Sequence, residues 1–494
     1  MSQRVASYSH KSSPLQSLMS HPFSESSSLH PKRDTQRHGR GLGRVLSVVM
    51  AGLLAASAVP ARAQQARGLP IVRDAETEQL LRDYSSPILK AAGLGAQNIK
   101  VVIINDRAFN AFVADSHRIF VNVGALTESK TPNQIIGVLA HETGHIVGGH
   151  LARMREQVAR ASTQSIIALL VGVGAMVAAS RSGSQSSGNI GAGALMAPQM
   201  TIQRSLIAYQ RTQEESADRA GVRFLTLTHQ SAKGMYDTFK RFADQELYAA
   251  QTVDPYLQSH PMSQERVAAL EGIAKTSPYW NVLDPPALQA RHDLMRAKLI
   301  AFTSRPDEVV RRYPFSDTSL AARYARAIAA YRFSSVDSAT RQIDGLIQAE
   351  PNNPYFYELK GQALLERGKA AQAVVPLRRA VRLAPTPALI QILLAQALIA
   401  TNNKATAKEA VTLLRTALAR EPDSPDGYTQ LAMAFGQEGN YAEADLASAQ
   451  AAAARGDMRT ARDLANRAKG RFPIGSPGWV KADDIIGYKS PAQK

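Results

Sequence analysis

Residues 133–153, NQIIGVLAHETGHIVGGHLAR, decide how this chain is read. Thr131-Pro132 stands just before them, where a helix begins, and Ile135, Ile136, Val138 and Leu139 recur on one inner face. The stretch is therefore predicted to be a largely buried helix. On it, His141 and His145 differ by about 40° around the axis and about 6 Å along it, so both imidazoles leave one face and can grip one small cation. Glu142 points about 100° away from His141, where it can take a proton from a water beside that cation instead of binding it.

A hydrolytic zinc needs a third protein ligand and an open corner for water. The chain has no cysteine, so the site has to be built from histidine and carboxylate. Beyond residue 63 the histidines are 117, 141, 145, 150, 229, 260 and 292. His150 lies nine positions from His141, on roughly the opposite side of a continuous helix, and only a break at Gly148-Gly149 brings it round. Better placed is the stretch Arg211-Thr212-Gln213-Glu214-Glu215-Ser216-Ala217-Asp218. There Glu214 and Asp218 share a helical face, so Glu214 can bind the metal while Asp218 accepts the second ring N–H of a liganding histidine.

Upstream, Val101–Ile104 is a β-branched run, and 118–123 (RIFVNV) is read as alternating with period two before Gly124, so a small sheet is expected. The second of these strands is a candidate edge for pairing with an extended substrate, with His117 beside it as a structural residue. Residues 166–179 form an almost wholly apolar segment, followed by Ser/Gly-rich sequence over 180–193. Fourteen residues are too few to span a bilayer, which leaves a buried hairpin helix with a loop over the active site, or peripheral membrane contact. Helical periodicity resumes over 203–226.

Past Pro278, Pro285 and Pro286 the composition shifts to Ala, Leu and Arg, and a period of about 34 residues appears. With Pro351 and Pro385 as equivalent ends, Tyr357, Gly361, Leu364, Ala373, Leu377 and Ala380 take tetratricopeptide-repeat positions. The next unit, ending at Pro422, keeps Ala410, Leu414 and Ala417 but is three residues longer. Tyr428, Phe435 and 439–444 begin another. Weaker copies flank these, around Ala339 and Ile343 and around Ala461, Ala468 and Pro473. Each unit exposes an apolar face that only its neighbour covers, so the segment is expected to stack into a curved array with a concave binding surface.

The N-terminal segment reads as a leader. Arg40 and Arg44 precede an apolar run over 45–59, and Ala61-Arg62-Ala63 offers small residues for cleavage after Ala63; a membrane anchor is the alternative. The chain carries +17, of which eight Lys/Arg and two Asp/Glu put +6 in residues 1–63, leaving 17 − 6 = +11 for the remainder. No aromatic-interleaved basic cluster argues for nucleic acid. The expected layout is a leader over 1–63, a metal-binding domain over 64–277, a transition over 278–318 and repeats over 319–494.

The His-Glu-x-x-His helix, the histidine five positions on and the Glu-x-x-Ala-Asp at 214–218 resemble the HtpX-related gluzincin peptidases. With a signal peptide in front and repeats behind, the layout is most similar to the periplasmic BepA type. The resemblance implies one zinc on His141, His145 and Glu214, with Glu142 as base and Asp218 behind the ligands; its spacing favours Glu214 over Glu215. His260-Pro261, with Glu265 and Arg266, resembles a further stretch of this group, which makes His260 a candidate to approach the metal or a developing oxyanion, or else a structural histidine at a turn. The implied fold is mainly α, a zincin-type domain with a small sheet followed by an α-solenoid. The implied role is a periplasmic endopeptidase acting on misfolded or stalled outer-membrane proteins, assisting their assembly and meeting the β-barrel assembly machinery through the repeats. The rival expectation is a chaperone or scaffold that works through its repeats with a silent metal site.

Overall fold

The computed structural model describes residues 70–160, 187–246, 256 and 259–488, with the backbone alone for 187–205 and 246. The leader, its cleavage point and the apolar segment 166–179 lie outside the described residues. From Leu69 onward the chain is one compact unit. It is mainly helical with one four-stranded sheet.

The sheet is formed by β1 (Ile71–Val72), β2 (Lys100–Ile104), β3 (Ala111–Asp115) and β4 (Arg118–Asn122), in the order β1-β2-β4-β3. The segment 118–122 is therefore not an edge, contrary to expectation. β2 pairs with it in parallel and β3 antiparallel, which leaves β3 at the end of the sheet. The cause lies in its residues: Ile119, Phe120, Val121 and Asn122 are all buried, so this strand is covered on both faces and does not alternate. Helix α1 (Ala75–Ala91) precedes β2, and α2 (Val123–Glu128) continues directly from β4, so Val123 starts a helix instead of ending a strand.

Helix α3 (Pro132–Gly148) carries the two histidines. It starts at Pro132, and the Gln134 side chain accepts from the Lys130 backbone N–H at 2.6 Å. From Ile135 to Gly144 every residue is buried, because α1, α5 (Ser187–Leu227), α6 (Lys233–Glu246) and strands β3 and β4 surround it. It does not run on to Arg153. Gly149 takes the left-handed conformation, φ 61°, and ends α3 before α4 (150–160) sets off. The core joins Tyr84 and Ile88 of α1, Ile119 and Val121 of β4, Ile135 and Leu139 of α3, and Phe239 and Phe242 of α6. Helix α7 (Gln264–Lys275) adds Val267 and Leu270.

Helix α8 (Pro286–Thr303) serves two cores. Met295 and Leu299 join the first, while Leu294, Ala297 and Ala301 join a second built with α10 (Leu320–Phe333) and α11 (Val336–Ala349). Short α9 (Pro306–Arg312), between α8 and α10, adds Val309 to the second core. Paired helices follow: α12 (Pro354–Glu366) with α13 (Ala370–Leu383), α14 (Ala388–Ala400) with α15 (Lys404–Arg420), α16 (Pro425–Glu438) with α17 (Tyr441–Ala454), and α18 (Met458–Lys469) with α19 (Pro477–Gly487). Pairing follows the small-residue pattern: a Cβ on Gly361 would fall 2.3 Å from Leu377 Cγ. The three extra residues of the second unit sit in α15, 17 residues long against 14 for α13.

Candidate metal centre

Helices α3 and α5 cross where neither has a bulky side chain. A Cβ on Gly144 would lie 2.8 Å from the Ala217 carbonyl oxygen and 2.9 Å from its Cα, so this contact requires glycine. The close approach sets His141 and His145 against Glu214 and Asp218. His141 Nε2 is 3.0 Å from His145 Nε2 and 3.4 Å from Glu214 Oε2, and His145 Nε2 is 3.4 Å from Glu214 Oε1. Ligand atoms ~2.0–2.1 Å from a tetrahedral zinc are about 3.3–3.4 Å apart, so these three donors are spaced as corners of such a site.

His260 joins them from the segment before α7. Its Nδ1 is 3.3 Å from His141 Nε2 and 3.0 Å from Glu214 Oε2, while its Nε2 is 3.4 Å from Glu142 Oε1. Among the described residues, His141, His145, Glu214 and His260 form a group able to hold a metal ion, with all donors within 4.8 Å of one another. Glu142 is fully buried, and neither of its carboxylate oxygens has a hydrogen-bond partner, nor does His260 Nε2. Buried polar atoms are normally satisfied. A carboxylate left bare beside a set of nitrogen and oxygen donors fits a centre that takes a cation and a water.

Asp218 stands behind the cluster, with Oδ1 2.9 Å from His141 Nδ1. Arg266, to which sequence reading gave no role, holds both carboxylates. It donates from Nε and Nη2 to Asp218 at 2.7 and 2.8 Å, and its Nη1 lies 2.8 Å from Glu214 Oε2. Nη1 also donates to the Pro261 carbonyl at 3.0 Å, which fastens the His260 segment to α5. The guanidinium rests over the Phe239 ring. One signal was available beforehand: two carboxylates in apolar surroundings demand a buried cation. Glu215 points away, half-exposed, toward Arg219.

The break at Gly149 does bring His150 round, with its Nδ1 3.0 Å from His145 Nδ1, on the ring edge away from the donor cluster. His117 is exposed in the β3–β4 turn and hydrogen-bonds Ser116. Electrostatics follow position. Burial alone would depress His141, but the Asp218 and Glu214 carboxylates outweigh it and push it up to about 9. The same carboxylates favour a divalent cation in place of that proton. Burial, then the neighbouring His141, holds His145 well below the ordinary imidazole value. Burial raises Glu142; it opposes but does not prevent the strong lowering of Glu214 by His260, His141 and Arg266.

Residues 74–274 match the model of peptidase family M48. The beta-barrel assembly-enhancing protease of Yersinia pestis is 23% identical over 432 residues, covering 86% of this chain and 85% of that one. Its counterpart in Escherichia coli K12 is 25% identical over 438 residues, with the same coverage. Metalloprotease YcaL of E. coli K12 is 27% identical over 189 residues, 37% of this chain and 67% of that one. The donor cluster and its bare carboxylate lie inside the segment that matches peptidase family M48, and the chain is a zinc-dependent metalloprotease.

Proposed function

We propose that this protease is exported to the periplasm, cleaves misfolded or stalled outer-membrane proteins and assists their assembly, with residues 64–277 as the catalytic domain, 278–318 as the joint and 319–494 as the substrate-docking repeats. The signal-like leader and the two similar beta-barrel assembly-enhancing proteases support the compartment and the substrate class. No helix among the described residues is long and apolar enough to cross a membrane. Contact with the β-barrel assembly machinery through the repeats belongs to the same proposal.

The observation that carries the chemistry is the triangle of His141 Nε2, His145 Nε2 and Glu214 at 3.0–3.4 Å. In this reading these three hold one zinc, which when bound supplies a Lewis acid that activates water and polarises a peptide carbonyl. Glu142 accepts the proton of the attacking water at a carboxylate oxygen and returns it to the leaving amine nitrogen; its raised proton affinity suits both steps. Asp218 fixes the His141 ring through Nδ1, and Arg266 keeps Asp218 and Glu214 ionised and in place. An extended substrate pairs with β3, the strand at the sheet's end. A peptide bond has to leave its folded context to reach so buried a centre, which selects unfolded chains.

The test uses the full-length exported protein. Wild type should carry one zinc and cleave an unfolded protein, and Glu142→Gln should keep the zinc and lose at least ~100-fold in turnover. Cleavage surviving that substitution would reject Glu142 as base. Zinc retained in a wild type that never cleaves would leave the repeat-based chaperone as the function.

A further inference from the structure

The face built by the first helices of successive pairs, α12, α14 and α16, bears a groove of about 530 Å³, within the ~300–1,000 Å³ usual for binding clefts. Its polar lining consists of side-chain amides from Gln362, Gln396, Asn402, Gln430 and Gln437. Although the chain carries +17, no lysine or arginine lines this groove. The single charged residue there, Glu366, is already engaged, accepting from Gln362 Nε2 at 2.9 Å and from the Tyr331 hydroxyl.

A primary amide presents two donors and an acceptor, the complement of the C=O and N–H of a peptide unit, and it asks for no charge on its partner. Gln437 donates from Nε2 to the Ile399 carbonyl at 3.0 Å, which fixes the amide, while its buried Oε1 has no hydrogen-bond partner. Between the amides lie apolar surfaces, including Met433, 51% exposed, whose flexible thioether adapts to varied side chains. A groove built for a chain terminus or an acidic peptide would present lysine or arginine to the carboxylates. This one does not.

We propose that the groove holds an extended, uncharged stretch of unfolded polypeptide by its backbone, through the Gln362, Gln396, Gln430 and Gln437 amides. This rests on the reading of the chain as a protease of unfolded proteins and names the feature of the substrate that the repeats select. Strands destined for a β-barrel, with alternating apolar and small polar residues and few charges, have that chemistry.

The experiment measures fluorescence anisotropy with full-length Glu142→Gln protein, so that nothing is cleaved. The probe is a short labelled peptide alternating valine or phenylalanine with threonine, blocked at both ends. It should bind, and Gln396→Lys with Gln430→Lys should weaken binding at least about tenfold at an unchanged Tm. If the lysines unfold the array, Gln396→Ala with Gln430→Ala gives the same readout with a smaller loss. Undiminished binding in the altered proteins, or tighter binding of an acidic or free-carboxylate version of the peptide, would overturn the proposal. Cleavage is read separately: no probe binding by Glu142→Gln protein with an unaltered groove, while wild type still cleaves, sinks the groove alone, whereas binding without any wild-type cleavage sinks the peptidase reading and leaves the groove standing.

Discussion

His260 turns one ring nitrogen to the donor cluster and the other to Glu142. With a zinc held by His141, His145 and Glu214, the ring would stand where the attacking water has to be placed, and those three donors remain without it. His260→Ala is accordingly expected to retain zinc and to cleave unfolded protein several-fold faster. Metal analysis and steady-state rates check this: slower cleavage would assign the ring to orienting water or the oxyanion, and no change in either quantity would remove it from the site. A different histidine governs stability. His292 is fully buried, accepting at Nδ1 from the Tyr84 hydroxyl at 3.0 Å and donating from Nε2 to the Ser129 carbonyl at 3.0 Å. Burial brings it down to about 4. With an ordinary value near 6.5 in the unfolded chain, the unfolded state takes up the proton first as pH falls. The stabilisation present above pH 6.5 is then lost toward pH 4, on the order of 3 kcal/mol. Denaturant midpoints should fall between pH 7 and 4.5 in wild type and fall less steeply in His292→Gln.

At the scale of elements, the metal centre exists because α3 and α5 touch backbone to backbone at Gly144 and Ala217. A side chain there has no space except by moving the helices apart. Gly144→Val should cost about 1–3 kcal/mol in stability and raise the dissociation constant for zinc at least about tenfold, because the two histidines ride on one helix and Glu214 on the other. Competition with a chromogenic chelator measures the second effect; unchanged affinity would mean that the crossing is not what sets the ligand spacing. The two-histidine face needed only the local spacing of α3, and so it was legible in the sequence. The third donor was half legible: Glu214 and Asp218 announced a shared face, but their choice over Glu215 required knowing which side of α5 meets α3. The edge position of 118–123 was misread because a strand's neighbours are set by long-range pairing, which a hexapeptide does not encode.

Across the whole molecule, the catalytic unit and the repeats are joined through a buried charge cluster. Lys298 of α8 lies 2.5 Å from Asp74 and 3.2 Å from Glu76 at the start of α1, and the Tyr324 hydroxyl of α10 donates to Glu76 at 2.9 Å. Glu358 of α12 is buried beside them, and burial holds its carboxyl up at about 7 despite the attraction of Lys298. Ala75 also packs against Ala380 and Ile390 of the repeats. Lys298→Met would strand these carboxylates without their cation, so a loss of about 3–5 kcal/mol is expected. Adding Asp74→Asn should restore part of it. Chemical denaturation of the single and double variants checks the pair, and a single substitution without measurable cost would show the cluster to be solvated and the joint to rest on apolar contacts.

Taken alone, the amino-acid order determined what depends on spacing within one element or one repeat: the pair of histidines on a buried helix, the glutamate turned away from them, and the 34-residue period that pairs the later helices. Those features follow from 3.6 residues per turn and from small residues recurring at a fixed interval. The tertiary structure alone decided which carboxylate completes the cluster, that His260 joins it, that Arg266 neutralises two acids there and that α8 belongs to two cores. Each of these joins residues from elements far apart in the chain, and only the packing of α3, α5 and the segment before α7 against one another brings their side chains within bonding distance.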